Sequence, residues 1–199
     1  CDLSKFDLRL TFTTLCVLGK DIENHGGAIN HLRVDHVLEL ATLTRGKFGI
    51  GDYSVCTTWG VVGADLYLLD VDRARLDFPS LKRRVVDLAR QWRPRAVIVE
   101  DKGSGTGLIQ QLRSEAHGIP YPTAFLPRED KITRLHAQSA RIEAGHVWLP
   151  QQAAWLEELR VELARFPQGR HDDQVDSISQ FLAWFFESKG RQMRMVPLG

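Results

Sequence analysis

Ala96-Val97-Ile98-Val99-Glu100-Asp101-Lys102-Gly103-Ser104-Gly105-Thr106-Gly107-Leu108-Ile109 is the stretch on which the fold turns. Four consecutive small or β-branched apolar residues read as a strand buried on both faces, because a strand open to water on one side would alternate. The run ends in two acids and a glycine-rich turn. Leu108, Ile109 and Leu112 then recur at helical spacing, so the unit is strand, loop, helix. Acids at such a strand end either serve a site, which open α/β sheets place at the carboxyl ends of their strands, or mark where the chain emerges into water. The glycines either bring backbone close to a phosphate or make a tight connection.

Outward from this unit the alternation continues. Tyr53 to Val62 and Leu66 to Val71 are rich in β-branched and aromatic residues and flank Gly63-Ala64-Asp65, which predicts an antiparallel hairpin. After Pro79, the residues Leu81, Val85, Val86, Leu88, Ala89 and Trp92 mark a core-facing helix. Downstream, Thr123 to Leu126 predicts a short strand and Ile132 to Ala144 a helix stopped by Gly145. Val147 to Leu149 reads as an extended piece, and Trp155, Leu156, Leu159, Leu163 and Phe166 as a further helix. The last helix carries the stripe Val175, Ile178, Phe181, Leu182 and Phe185, with a frayed tail after Lys189. Asp172 and Asp173 lie in its first turn, where one or the other is expected to cap the helix. The predicted class is α/β, a mixed sheet flanked by helices. Upstream, Leu8 to Leu18 suggests a strand pair and Asn24-His25-Gly26-Gly27 a turn. The expected organisation is an N-terminal segment over 1–35, one domain over 36–190 and a tail over 191–199.

Composition narrows the function classes. With 199 residues, 43% of them apolar, one substantial core is expected. A net charge of +1 excludes a bulk cationic field, so any nucleic-acid contact must be local. The three cysteines, Cys1, Cys16 and Cys56, form no CxxC pair, which suggests reduced thiols in a cytoplasmic setting. No apolar run is long enough for a membrane span. Trp59, Trp148, Trp155 and Trp184 lie in apolar patterns and are expected in the core.

Two constellations can carry chemistry. Glu100, with Asp101 beside it, is one. The other is His171-Asp172-Asp173-Gln174-Val175-Asp176, where carboxylates crowd more densely than a helix cap needs; such clusters repel unless cations or hydrogen-bond donors neutralise them. The alternative is a richly capped helix start with Asp176 facing solvent. A joint site requires the last helix to meet the end of the buried strand, the arrangement of a two-metal phosphodiesterase. Lys131, Arg134 and Arg141 fall roughly on one helical face and, with Lys102 and Arg170, make either a phosphate-tracking set or a solvated surface.

Taken together, the Gly51–Gly60 stretch, Val97 to Ile109, Lys131-Ile132-Thr133-Arg134 with Glu143 to Pro150, and His171 to Ser177 resemble the nuclease domain of phage and prophage large terminase subunits. The blocks run in that family's order from about Gly51 to Phe186. The resemblance implies a ribonuclease H-like endonuclease that cuts phage DNA during packaging with two Mg²⁺ or Mn²⁺ ions held by acids. Glu100 then stands as the second-motif acid and Asp173, or Asp172, as the third, with Asp101 and Asp176 behind them. It also implies double-stranded DNA as substrate, and as partners a terminase ATPase domain, a small terminase subunit and a portal, in the cytoplasm of a bacterial host. The chain itself contains no GxxxxGK[ST] phosphate loop.

One departure is specific. Where the family carries its first-motif aspartate, this chain reads Val37-Leu38-Glu39-Leu40-Ala41-Thr42-Leu43-Thr44, with Ala41 at the vacant position and Glu39 the nearest acid. The resemblance therefore supports an active nuclease, or an inactive prophage remnant acting as a DNA-binding or assembly module. A further alternative is another ribonuclease H-like nuclease, such as a resolvase or transposase-type enzyme. If the segment around Ala41 forms the strand beside Ala96–Glu100, position 41 should face the gap between Glu100 and Asp173.

Overall fold

The computed structural model describes residues 8–9, 37–44 and 53–194. Its strands are β1 (Leu8–Arg9), β2 (Val37–Thr44), β3 (Ser54–Val62), β4 (Asp65–Ala74), β5 (Ala96–Glu100), β6 (Thr123–Phe125) and β7 (Val147–Leu149). The helices are α1 (Phe78–Trp92), α2 (Ser104–Glu115), α3 (Lys131–His136), α4 (Ser139–Glu143), α5 (Leu156–Arg165) and α6 (Asp173–Arg194). The strands form one seven-stranded sheet in the order β1-β7-β4-β3-β2-β5-β6. It is mixed: β2, β3 and β4 run antiparallel in turn, whereas β5 is parallel to β2 and to β6, and β7 is parallel to β4.

The expected hairpin forms, with Gly63 at φ 61° in its turn, a left-handed conformation that favours glycine. Helix α1 starts where Asp77 accepts the Ser80 amide and ends at Arg93, in the left-handed region, whose amide reaches the Ala89 carbonyl. Alternate faces of the central strands bury against different helices. Cys56, Val97 and Val99 pack on α1 and α2. On the other face Val55, Trp59, Leu66 and Leu68 pack on the helices that follow β6, chiefly α5 and α6. Trp59 is fully buried and stacks on Phe181 at 4.4 Å between ring centroids. Such a pair adds about 0.5–1.5 kcal/mol to the burial itself. Trp148 is buried as well, and Trp155 and Trp184 pack against the same core.

The structure corrects three expectations about elements. The predicted helix over 132–144 is two short helices, α3 and α4, broken at Ala137-Gln138, where Gln138 turns inward and is buried. Most of the glycine-rich turn is helix: only Gly103, at φ 56°, lies outside α2, and Gly105 and Gly107 fall in its first turns. Helix α6 continues to Arg194 instead of fraying at Lys189. Within the predicted strand pair over Leu8 to Leu18, Leu8–Arg9 is a strand and pairs with β7. The remainder of that segment and the turn at 24–27 lie outside the described residues. No helix among the described residues is long and apolar enough to cross a membrane.

Candidate active site

Strand β5 delivers Glu100 to the end of the sheet on the face that also carries Ile98, which packs against Ala183 of α6. The same face of β3 holds Thr57, whose hydroxyl lies 3.0 Å from Ser177 Oγ on α6 while Trp59 Nε1 donates to it at 3.0 Å. This buried polar chain fixes how far α6 slides along the sheet, because any shift strands three polar groups in apolar surroundings. The result is that Asp176, one turn into α6, lies beside Glu100 at the end of β5. Glu100 is 8% exposed, and Asp172, Asp173 and Asp176 are each buried to a similar degree.

The start of α6 is built unusually. Its first-turn amides are accepted by Glu162 of α5: Gln174 N at 2.6 Å and Val175 N at 3.1 Å, with Gln174 Nε2 at 2.8 Å on the other carboxylate oxygen. The sequence predicts Asp172 or Asp173 for this role, and for these two amides the structure replaces them with Glu162. Glu162 sits on the apolar stripe of α5 between Leu159 and Leu163, and a lone acid on such a stripe is the sequence signal that points to it.

Helix α3 supplies partners for the aspartates. Its start is capped by Asp130, which accepts the amides of Ile132 at 2.9 Å and Thr133 at 3.1 Å. Lys131 pairs with Asp172 and Arg134 pairs with Asp176. Arg134 is 5% exposed and also donates from Nε to Ser179 Oγ at 3.1 Å and from Nη1 to the Glu129 carbonyl at 2.8 Å. The expectation of a single cationic stripe is therefore corrected. The helix that would carry it is broken, Arg134 faces inward, and Arg141 donates to Gln138 and lies 3.9 Å over the Phe186 ring. Asp176, predicted to face solvent on the simpler reading, is buried. Lys102 and Arg170 remain exposed.

Burial pushes the Glu100 carboxyl above its ordinary value, and the charge of Asp176 pushes it further; Gln180, Arg134 and Lys102 pull it back. Glu100 and Asp176 are thus electrostatic neighbours. Gln180, one turn after Asp176, joins the same face; its Nε2 is buried without a hydrogen bond of normal geometry. Asp101, adjacent to Glu100, is instead held by Thr106, whose hydroxyl donates to it at 2.7 Å. Among the described residues no three His, Cys, Asp or Glu side chains are arranged to hold one metal ion. The oxygen donors suit a hard divalent cation in kind but not in number. Ala41 pairs with Thr57 on one side and Ile98 on the other, both of which face α6.

A mixed sheet with helices on both faces, a central parallel strand ending in an acid and a last helix bringing a second acid to it, defines a ribonuclease H-like α/β domain. The chain belongs to the terminase RNaseH-like domain family, whose match spans residues 46–184 and so begins after β2. The large terminase nuclease of thermophilic phage G20c with bound magnesium superposes with a TM-score of 0.58 at 21% identity, covering 77% of this chain and 82% of that one. The large terminase of a second thermophilic bacteriophage gives a TM-score of 0.57 at 11% identity over 76% of this chain and 41% of that one. The human cytomegalovirus terminase nuclease domain, manganese-soaked and inhibitor-bound, gives 0.54 at 13% identity over 78% and 87%. These likenesses show the fold. The match takes in about two fifths of the second phage's large terminase, 41% of its length. No curated protein matches the sequence significantly.

Proposed function

We propose that this chain is the nuclease domain of a terminase large subunit, a metal-dependent endonuclease acting on double-stranded DNA in phage packaging. The observation that carries the reading is the juxtaposition of Glu100 with Asp176 of α6, in a chain whose family is that of terminase RNaseH-like domains. Glu100 and Asp173, with Asp172 as the alternative and Asp176 beside them, are the candidate ligands. Magnesium, zinc and cobalt are bound in the G20c relative, and Mg²⁺ or Mn²⁺ is the choice for oxygen donors. Such ions supply activated water and neutralise charge at the phosphate. In this chain Arg134 orients Asp176 and limits its repulsion with Glu100, Lys131 does the same for Asp172, and Lys102 and Arg170 hold phosphates without reading bases. The proposed domain takes in 36–190, with β1 joining its sheet and α6 running on to Arg194. Its proposed partners are a packaging ATPase domain, a small terminase subunit and a portal, in the host cytoplasm.

A second reading has its own observation. Position 41, between Thr57 and Ile98, carries alanine, and the described acids do not complete a metal cage. On that reading the chain is a catalytically inactive prophage remnant that binds DNA or an assembly partner. Mn²⁺-dependent nicking of supercoiled plasmid separates the two. Nicking by the parent chain that disappears in Glu100→Ala establishes the enzyme. Background activity in the parent together with a clear gain in Ala41→Asp, lost again when Asp173→Ala is added, establishes the remnant. No gain from Ala41→Asp in a folded, inactive protein removes position 41 as the vacancy.

A further inference from the structure

Beside the acids, the end of the sheet gathers cations, most of which the sequence does not single out. The ring of Tyr53 has the Arg73 guanidinium 3.6 Å from its centroid and that of Arg75 at 4.5 Å, and the His171 ring meets it edge-on at 5.6 Å. Two guanidiniums brought to one aromatic ring are attracted to its quadrupole but repel one another. Arg73 and His171 also line a cavity of about 150 Å³, together with Glu158, Arg165, Gly169 and Arg170 among others. A Cβ on Gly169 would approach Arg165 Cβ to 3.3 Å and the His171 carbonyl to 3.2 Å, so glycine lets the turn fold tightly enough to set Arg170 and His171 against Arg165.

The charge of this cavity is unbalanced. Glu158 pairs with Arg73 but its side chain is 60% exposed, and Glu162 is committed to the amides of Gln174 and Val175. Arg165 and Arg170 are exposed and pair with no acid among the described residues. Arg73 Nε is buried without a hydrogen-bond partner.

The geometry points to a binding site for a backbone phosphate of DNA, formed by Arg73, Arg165, Arg170 and His171, with Arg75 at its rim. The inference rests on the nuclease reading of the neighbouring acids. The cavity is small against the ~300–1,000 Å³ of pockets that take whole organic ligands, which suits a phosphate group and not a nucleoside. Its position commits the occupant. Ser54 and Ala74 pair at the end of the sheet where β5 also ends, and His171 directly precedes Asp172. Arg73 lies on β4, three strands from Glu100, or on the order of 14 Å at ~4.8 Å per strand. A duplex with one phosphate at the acids would thus place another, about four base pairs along at ~3.4 Å each, at this cavity.

The test is duplex binding by the 199-residue chain in EDTA, followed by fluorescence anisotropy across a salt series. Arg165→Ala/Arg170→Ala should weaken binding about tenfold on all sequences and lower the slope of log K against log salt by about 1, the site holding one phosphate. Glu158→Gln, which releases Arg73, should tighten binding a few-fold. Arg83→Ala/Arg90→Ala on α1, which packs on the opposite face of the sheet, should change neither. Binding by the parent with an unchanged slope in Arg165→Ala/Arg170→Ala overturns the phosphate site and leaves the nuclease reading standing. A parent that fails to bind duplex DNA even at low salt overturns both.

Discussion

Arg134→Ala tests how the site is held together. The side chain is almost wholly buried and spends its donors on Asp176, Ser179 Oγ and the Glu129 carbonyl. Truncation leaves the Asp176 carboxylate buried, without that partner, and next to Glu100, whose carboxyl is already pushed toward its neutral form. Removing one member of a buried ion pair costs about 3–5 kcal/mol, mostly the desolvation of the charge left behind. For a chain of this size each kcal/mol moves Tm by about 2–4 °C, so the expected fall is roughly 6–20 °C. Native domains hold about 5–15 kcal/mol, so the variant should still fold at room temperature.

The assay is thermal and urea unfolding of four proteins: parent, Arg134→Ala, Asp176→Asn and the double variant. If the cost is the stranded charge, the double variant recovers about 1–3 kcal/mol relative to Arg134→Ala alone. A pH signature goes with it. Arg134 pulls the raised Glu100 carboxyl back, so without it Glu100 holds its proton more tightly still in the folded state, and acidification toward ordinary carboxylate values should raise the stability of Arg134→Ala relative to the parent. A loss below about 1 kcal/mol, typical of an exposed pair, or a double variant as unstable as the single, would refute the reasoning.

Two further outcomes follow from the same geometry. Glu100→Gln should stabilise the protein at neutral pH. The folded carboxyl titrates above its ordinary 4.5, so the parent loses stability as pH rises from that value through the folded pKa and stays penalised above it. Urea melts from about pH 4 to about pH 8 should show the advantage of Glu100→Gln vanish at the acid end, and a pH-independent difference would contradict the burial argument. Glu162→Ala leaves the buried amides of Gln174 and Val175 without their acceptor and should cost roughly 2–4 kcal/mol, with Glu162→Gln losing about half as much. Faster hydrogen exchange at those two amides in Glu162→Ala is the local readout; a change below about 0.5 kcal/mol places the cap elsewhere.

Local pattern made most of the sheet and its long helices legible. The β3–β4 hairpin follows from β-branched alternation around a glycine turn, β5 from an apolar run, α1 and α6 from helical stripes, and each of these signals lies within its own segment. What sequence could not reveal depends on residues far apart. The break between α3 and α4 carries no proline or glycine, and Gln138 within it is buried. The polar face of α3 looks like a solvated one until Asp172 and Asp176, 41 and 42 residues away from their partners, turn Lys131 and Arg134 toward the interior. Helical periodicity identifies a polar face but not whether water or a carboxylate covers it. For the same reason the pairing of Glu100 with the α6 acids rests, at the level of sequence, on family resemblance, and Glu162 declares itself only by its place on an apolar stripe.

The arrangement of cations and acids bears on why a domain of this kind tolerates such a site at all. Four buried or nearly buried carboxylates, Glu100, Asp172, Asp173 and Asp176, share one end of a sheet, and full ionisation of uncompensated groups there would be prohibitive. Two of the four have an ion-pair partner on α3, and Glu100 is shifted toward neutrality. Each device limits the repulsion without a bound ion, and each depends on α6 staying where the Thr57–Ser177 contact and the Glu162 cap put it. An aspartate at position 41, whose sheet neighbours Thr57 and Ile98 both face α6, would add a fifth carboxylate to this balance. With Lys131 and Arg134 already committed to Asp172 and Asp176, that acid would raise the cost of the metal-free fold and the affinity for a divalent ion together. On the inactive-remnant reading, the alanine at that position exchanges metal affinity for metal-free stability, the direction a chain relieved of cleavage would drift; a gain of Mn²⁺-dependent nicking in Ala41→Asp together with a fall in its metal-free Tm is the outcome expected of that exchange.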